Sequence, residues 1–481
     1  MPWGGAGWTA GVGIRLVVAI VALTLSAAVA ASPAAALPRL LTGFDGPEFT
    51  SSEAPTREFW LQRAAETGAS LIRIDVSWAS IAPRSPAGGF EPANPASPGY
   101  EWKTLDAAVR STTSNGMQVM LNVHSAPAWA EGANRPKGTE PGAWKPQAGP
   151  FGEFAQALAT RYSGSYPDPL SPGSVLPRVR YFEVWNEPNL GIYLSPQWEG
   201  DRATGPAIYR GLVNSFYAGV KAAQPDAKVI AGSLAPFGDR PGGARTPPVE
   251  FLRGMLCLQG GHLYTTPCSD PAHFDILSDH PIAVGSPTQS ARSPLDVTTP
   301  NMGRLTKVLR RAEETKRALP RGRKPLWVTE FWYDSDPPDP DGVPLYRQAR
   351  WYEQDLYLFW KQGARAAITL QIRDSPPGKG YEYTSQAGVY FLDGQPKPSL
   401  TAFRFPFVAE RTGKRAVNVW GIPPRSGPLK VQAKRDGRWT TVGKVTVKAA
   451  RAPFTLSLPI QGKPQLRAVV GGEVSLPWAL G

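Results

Sequence analysis

Cysteine, histidine and methionine are scarce, at 2, 4 and 5 of 481 residues. Two cysteines and four scattered histidines give none of the ligand spacings of a structural or catalytic zinc site, so no metal centre is expected. Cys257 and Cys268 are separated by ten residues of loop character, and in an oxidising compartment they form one disulfide. Recruitment of a metal through His262 or His273 is the lesser reading. Beyond residue 36 there is no apolar run long enough to cross a bilayer. The first apolar strand is not followed by a Gly-rich phosphate-binding turn, which counts against nucleotide use, and no cofactor is expected. Acidic residues are in deficit, 39 Asp and Glu against 52 Lys and Arg, for a net charge of +13. No nucleic-acid recognition motif accompanies that excess.

The first 36 residues hold one charge, Arg15, then an apolar run from Leu16 to about Leu25 and the small-residue stretches Ala28-Val29-Ala30 and Ala34-Ala35-Ala36. This is the pattern of a secretory signal peptide over residues 1–36, and it predicts a secreted or cell-surface protein. An uncleaved anchor is the alternative, although the run is short against the ~20 residues of a membrane span.

The whole chain is 42% hydrophobic and 19% charged, a globular composition, with 51 Pro and 49 Gly that imply many turns and long, stiff loops. Its length suffices for one eight-stranded barrel of ~250 residues or more plus a smaller domain. Apolar strand patterns fall at 40–44, 71–78, 117–123, 181–187, 228–231, 274–277, 325–329 and 366–371. Helical patterns at 57–67, 105–114, 151–162, 206–223, 304–319 and 349–361 lie between them. Near-continuously apolar strands alternating with helices predict a (β/α)8 TIM barrel over residues 37–405. An open doubly wound sheet would alternate similarly. Beyond Arg404 the signature changes to short alternating runs at 415–420, 428–433, 439–447, 453–458 and 465–470, split by Pro, Gly and Arg-Asp-Gly turns. They predict a small antiparallel, sandwich-like β-domain over residues 406–481. From Thr412 onward twelve Lys and Arg face two acids, 12 − 2 = +10, so the basic excess is concentrated there. A polyanion partner such as an anionic cell-envelope polymer fits that charge; a solvated surface bracing the barrel is the plainer alternative.

Tyr181 to Asn189 reads Tyr-Phe-Glu-Val-Trp-Asn-Glu-Pro-Asn, and Pro325 to Glu330 reads Pro-Leu-Trp-Val-Thr-Glu. Each is an apolar strand ending in a carboxylate, a costly placement for stability alone. Alternation puts Glu183, Trp185 and Glu187 on one face of the first strand, with Asn186 on the other. Together Trp185-Asn186-Glu187-Pro188-Asn189 and Trp327-Val328-Thr329-Glu330, with the two Glu 330 − 187 = 143 positions apart, resemble clan A of the glycoside hydrolases, most closely its families 5 and 39. The resemblance covers roughly residues 37–405.

That resemblance implies a retaining (β/α)8-barrel glycosidase, with Glu187 as general acid/base after strand four and Glu330 as nucleophile after strand seven. It also implies that Arg73 holds the nucleophile ionised, that Asn186 binds the sugar's 2-hydroxyl, and that His124 and His280 are polar site positions after strands three and six. Asp75 and Glu183 are expected as buried partners of Arg73. Trp129, Trp198 and Trp332, on loops after strands, are candidate sugar walls, whereas Trp60 and Trp360 belong to helices and the core. Two departures stand out. The clan's tyrosine after strand six is absent from His280-Pro281-Ile282, and strand eight lacks the usual Trp, a role that Trp332 or Tyr333 would have to take.

The function expected is hydrolysis of O-glycosidic bonds in a poly- or oligosaccharide by a secreted monomer. The alternative is a non-catalytic carbohydrate-binding or cell-surface protein on a degenerate barrel; the joint presence of Glu187, Glu330, Asn186 and Arg73 speaks against it.

Overall fold

The computed structural model describes residues 37–480 except Glu382 and Tyr383; the segment read as a signal peptide lies outside the described residues. Eight strands form where apolar runs predict them: β1 (Leu41–Asp45), β2 (Leu71–Ser77), β3 (Gln118–His124), β4 (Tyr181–Val184), β5 (Lys228–Leu234), β6 (Ile276–Asp279), β7 (Leu326–Phe331) and β8 (Ala364–Leu370). They close in the order β1-β8-β7-β6-β5-β4-β3-β2, every neighbouring pair parallel. The result is a (β/α)8 barrel. Its outer layer includes α1 (Ala54–Glu66), α2 (Lys103–Ser114), α3 (Ala148–Arg161), α4 (Gly205–Ala223), α5 (Pro248–Met255), α6 (Gly303–Glu314) and α7 (Leu345–Lys361).

Strand alternation sorts the side chains into two cores. Leu71, Met120, Ile230, Ile276, Trp327, Ala366 and Ile368 point inward and plug the barrel's lower half. Residues of opposite parity, such as Ile72, Val119, Phe182, Leu277 and Val328, pack outward under the helices. Two steps along from the plug, the inward positions turn polar: Arg73, Asn122, Glu183 and Ser278, all buried. Closure at β5 and β6 needs a glycine. Gly232 has φ +124, and a Cβ there would lie 2.2 Å from the Ser278 carbonyl oxygen, a conformation and an approach that other residues do not tolerate.

Sequence periodicity overruns in one place. The helix expected to reach Leu319 ends at Glu314, because Lys316 turns to φ +60 and Ala318–Leu319 pairs as a short strand with Ala272–His273. Pro248–Met255 and α8 (Pro398–Arg404) are helices that the apolar pattern did not mark. Cys257 and Cys268 are joined in a disulfide with Cα atoms 6.0 Å apart.

After α8 the chain is antiparallel. β9 (Phe407–Arg411), β10 (Ala416–Gly421) and β13 (Phe454–Pro459) make one sheet. A second runs β12 (Arg438–Val447), β11 (Gly427–Arg435), β14 (Gln465–Val470) and β15 (Glu473–Val474), with β16 (Trp478–Ala479) paired to β14. Their inner faces join the barrel's outer core, and the described residues from Leu37 onward form one compact unit. Trp420 of β10 packs on Tyr357 and Trp360 of α7, with ring centroids 5.4 and 5.8 Å apart. The Arg350 guanidinium lies 3.7 Å from the Trp478 ring, and Arg404 pairs with Glu473. Among the described residues, no helix is long and apolar enough to cross a membrane.

Candidate active site

The Asn-Glu motif departs from strand geometry before Glu187. β4 stops at Val184, and both Trp185 (φ +67) and Glu187 (φ +39) are in the left-handed region, a strained state that needs outside support. That support is present. The Trp185 amide donates to the Val123 carbonyl at 2.8 Å, its indole N–H donates to the Tyr193 carbonyl at 2.7 Å, and its carbonyl accepts from Ser233 Oγ at 2.8 Å. Tyr209 of α4 donates to the Val184 carbonyl and accepts from the Gly232 amide, tying β4 to β5. Asn189 clamps the far end, donating to the Ala235 and Thr246 carbonyls and accepting from the Ala235 amide. The outcome corrects the alternation read from the sequence. Trp185 turns into the helix layer against Phe151, while Asn186 and Glu187 both join the barrel-mouth network.

At the mouth, one carboxylate oxygen of Glu187, one of Glu330 and a ring nitrogen of His280 all lie within 4.8 Å of one another. Strands four, six and seven deliver them. His280 is fully buried; its Nδ1 is 3.1 Å from Glu187 Oε1 and 3.7 Å from Glu330 Oε2, and its Nε2 is 3.1 Å from Thr329 Oγ1. Burial opposes a charged imidazole, yet Glu330 and Glu187 together hold the His280 pKa above its ordinary value. Burial likewise pushes Glu330 up. Glu187 adds to the rise, and His280 and Arg73 counter it without cancelling it. These three residues are also the described set whose donor atoms are close enough to share a cation, a grouping that sequence spacing did not reveal.

Arg73, 1% exposed, is the shared counter-charge beneath them. It donates to Asp45 Oδ2 at 2.5 Å, Glu183 Oε2 at 3.0 Å and Asn186 Oδ1 at 2.7 Å, with Asp75 at 3.4 Å. Glu330 Oε2 is more distant, at 3.8 Å. Arg73 therefore does lower Glu330, but its hydrogen bonds are spent on neighbours and Glu330 stays raised. Burial, with the Asp75 charge, brings Asp45 up to about 7 against the pull of Arg73. Asp75 is half exposed, not buried as expected; desolvation works against its ionised form, but Arg73, His124 and the Asn122 amide outweigh it and hold its carboxyl low.

His124 reaches the same mouth from β3. Its Nδ1 lies 2.7 Å from Ser125 Oγ, and burial depresses its pKa against the opposing charge of Asp75. Trp332 follows Glu330 by two positions, and its indole N–H is buried without a protein partner. Trp198 helps to line a cavity of about 540 Å³ formed by the loops after β3, β4 and β5. Trp129 is placed differently from expectation. Its N–H donates to the Pro83 carbonyl at 2.8 Å and its ring packs edge-on against Trp78 and Phe90, so it buttresses a loop. Tyr333 is not a platform either: it is buried and donates to Asp355 at 2.7 Å beneath α7.

Sequence reasoning missed two members. Asp45, at the end of β1, makes the shortest contact of Arg73; the strand-terminal carboxylate that flagged Glu187 and Glu330 was available there too. Tyr193 comes from an irregular loop with no periodicity to mark it. Its ring lies edge-on to His124 at 6.3 Å, and burial, with the charges of Glu187 and Glu330, pushes its hydroxyl up to about 12 against a lowering influence of the Asn186 side chain. A tyrosine therefore stands beside the carboxylates, supplied after β4 rather than after β6.

Residues 37–248 match the family model described as Cellulase (glycosyl hydrolase family 5). No curated protein matches the sequence. Among solved structures, a family 39 glycoside hydrolase from the gut symbiont Bacteroides cellulosilyticus WH2 is similar at 17% identity and TM-score 0.53, over 88% of this chain and 81% of that one. A glucosidase from Croceicoccus marinus is similar at 14% identity and TM-score 0.48, over 88% of this chain and 93% of that one. At 17% identity, the family 39 structure speaks to the fold alone. Over residues 37–248, then, the chain is similar to glycoside hydrolases of family 5.

Proposed function

We propose that the protein is a secreted, retaining glycoside hydrolase acting on a β-linked or equivalent equatorial glycoside. One observation carries the reading: Glu187 and Glu330 bring carboxylate oxygens within 4.8 Å of each other across the barrel mouth. Retaining enzymes hold their carboxyl groups about 5–5.5 Å apart, and inverting ones leave room for a water between them. The close approach supports retention.

In this scheme Glu187 protonates the glycosidic oxygen as Glu330 attacks the anomeric carbon, giving a glycosyl ester and a free leaving group. Glu187, now ionised, takes a proton from water, which displaces Glu330 with a second inversion. His280 holds the Glu187 carboxyl from one side and limits repulsion between the two acids. Asn186, oriented by Arg73, offers its amide N–H to the sugar. Trp332, with its unpartnered N–H, suits one sugar hydroxyl.

Export is supported by the N-terminal apolar pattern and by the disulfide, which persists in oxidising compartments. The basic C-terminal residues support an anionic cell-envelope polymer as a partner beyond the substrate.

A panel of aryl β-glycosides with proton NMR of the first-formed sugar tests the reaction. Retention of anomeric configuration in the parent and loss of turnover in Glu330→Gln are expected. Inversion refutes the double displacement, and equal turnover in the two proteins, or none in either, favours a binding role.

A further inference from the structure

The second C-terminal sheet buries one face and leaves the other bare. Leu429, Val431 and Ala433 of β11, with Leu466, Ala468 and Val470 of β14, turn into the core. Residues of opposite parity therefore share the outer face. Cross-strand register sets Lys430 opposite Lys444, Lys434 opposite Trp439, and Gln432 between Thr441 and Arg467. Four cations thus stand together on three adjacent strands, and three of them, Lys430, Lys434 and Lys444, are exposed. Directly opposed like charges such as Lys430 and Lys444 disfavour the sheet.

Among the described residues no acid pairs with them. Only Asp436 and Glu473 occur after Thr412. Glu473 is held by Arg404 and Arg425, and Asp436 lies in the turn between β11 and β12 at φ +49. The ion pairs among the described residues include none of the four. Along β11 alone, Lys430 to Lys434 spans about 13 Å at ~3.3 Å per residue, the reach of a short run of sugar rings rather than of a single ion.

The arginine is set apart from the lysines by its support. Its guanidinium lies 4.1 Å from the Trp439 ring centroid, and its Nε donates to Gln432 Oε1 at 2.9 Å. Lys434 Nζ flanks the same ring at 5.9 Å. A guanidinium fixed by an indole and an amide presents its remaining N–H groups as a rigid fork, which matches a planar carboxylate. A single-stranded nucleic acid would instead need open aromatic rings for its bases, whereas Trp439 is already engaged by Arg467. A membrane-binding face would carry a cluster of protruding apolar side chains.

We infer that this face of the C-terminal sheet binds an acidic polysaccharide through its uronate carboxylates, with Arg467 as the fork and Lys430, Lys434 and Lys444 as surrounding charges. The choice of a carbohydrate among polyanions rests on the glycosidase reading of the barrel; the charge arrangement does not. The face would hold polymer near the enzyme, apart from the site of cleavage.

The test uses the full chain, with polygalacturonate, its fully methyl-esterified form and a single-stranded oligodeoxynucleotide as probes, titrated by calorimetry near 0.1 M salt. Binding to polygalacturonate is expected, and esterification should weaken it about tenfold or more, as should the triple change Lys430→Gln, Lys434→Gln, Lys444→Gln. Arg467→Lys, which keeps the charge and loses the fork, should also weaken it, while turnover of an aryl glycoside and the melting temperature stay at parental values. The inference is overturned by equal affinity for the esterified polymer, by variants that bind like the parent, by tighter binding of the oligonucleotide, or by no binding at all. None of these results touches the aryl-glycosidase assay, so the two readings fail separately.

Discussion

Replacing Arg73 with methionine is the sharpest probe of the barrel mouth. The guanidinium is 1% exposed and bonds Asp45, Glu183 and Asn186 within 3.0 Å. Methionine fills much of the volume but leaves buried carboxylates without a counter-charge, a loss of about 3–5 kcal/mol in comparable buried networks. The pH dependence has a definite sign. Asp45 has a folded pKa of about 7, above its unfolded value. Below pH 7 it is neutral in the folded protein and needs little from Arg73; above pH 7 it is ionised and needs the pairing. The stability deficit of Arg73→Met should therefore grow as pH rises through 7, on top of a constant part from the lost Glu183 and Asn186 bonds. Catalysis suffers as well. A unit charge 3.8 Å from Glu330 stabilises its ionised form by at most ~4 kcal/mol at an effective dielectric of ~20. Sharing of that charge with Asp45 and Glu183 reduces the expected fall in kcat/KM to about one to three powers of ten. Denaturant unfolding at pH 5 and pH 8, with aryl-glycoside kinetics at both, reads each quantity. A variant within about 1 kcal/mol of the parent at pH 8, with unchanged kcat/KM, would refute the idea that one arginine serves the whole cluster.

His280→Gln removes a group that lowers Glu330, so the acid limb of kcat/KM should move to higher pH; an unmoved limb in the pH–rate profile would exclude that coupling. Because Glu330 is itself raised, the parent's acid limb should lie above the ordinary range for glutamate, and activity should be lost as pH falls through it. Tyr193→Phe should lower kcat/KM about tenfold, the worth of roughly one hydrogen bond, with little change in melting temperature. Replacing Cys257 and Cys268 with serine opens a loop of sequence separation 11 and should cost about 3 kcal/mol by chain entropy, measured by denaturant unfolding under oxidising conditions.

All eight barrel strands were legible because strands buried on both faces need apolar side chains at nearly every position, and that pattern survives in one dimension. The paired carboxylates were legible for a related reason: an acid at the end of an apolar run is costly unless it has work to do. The left-handed turns at Trp185 and Glu187 were not, since period-two alternation presumes a strand that has already ended at Val184. Tyr193 was hidden by its irregular loop. Trp129 misled because the same indole that suits a sugar also suits Trp78 and Phe90, and residue type alone does not choose between them. The raised Glu330 was out of reach too, since it depends on how far Arg73's five donors are shared among partners distant in the chain.

The seam between the barrel and the C-terminal sheets has a consequence for how the molecule melts. Trp420, Tyr357 and Trp360 interlock across it, Arg350 stacks on Trp478, and the Phe407 amide reaches Glu353 of α7 at 3.3 Å. Beads on a flexible tether unfold one at a time, each at its own temperature. Here neither partner can let go without stripping aromatic surface from the other, so both should give way in a single calorimetric peak, and a chain ending near residue 405 would leave the flank of α7 bare to water.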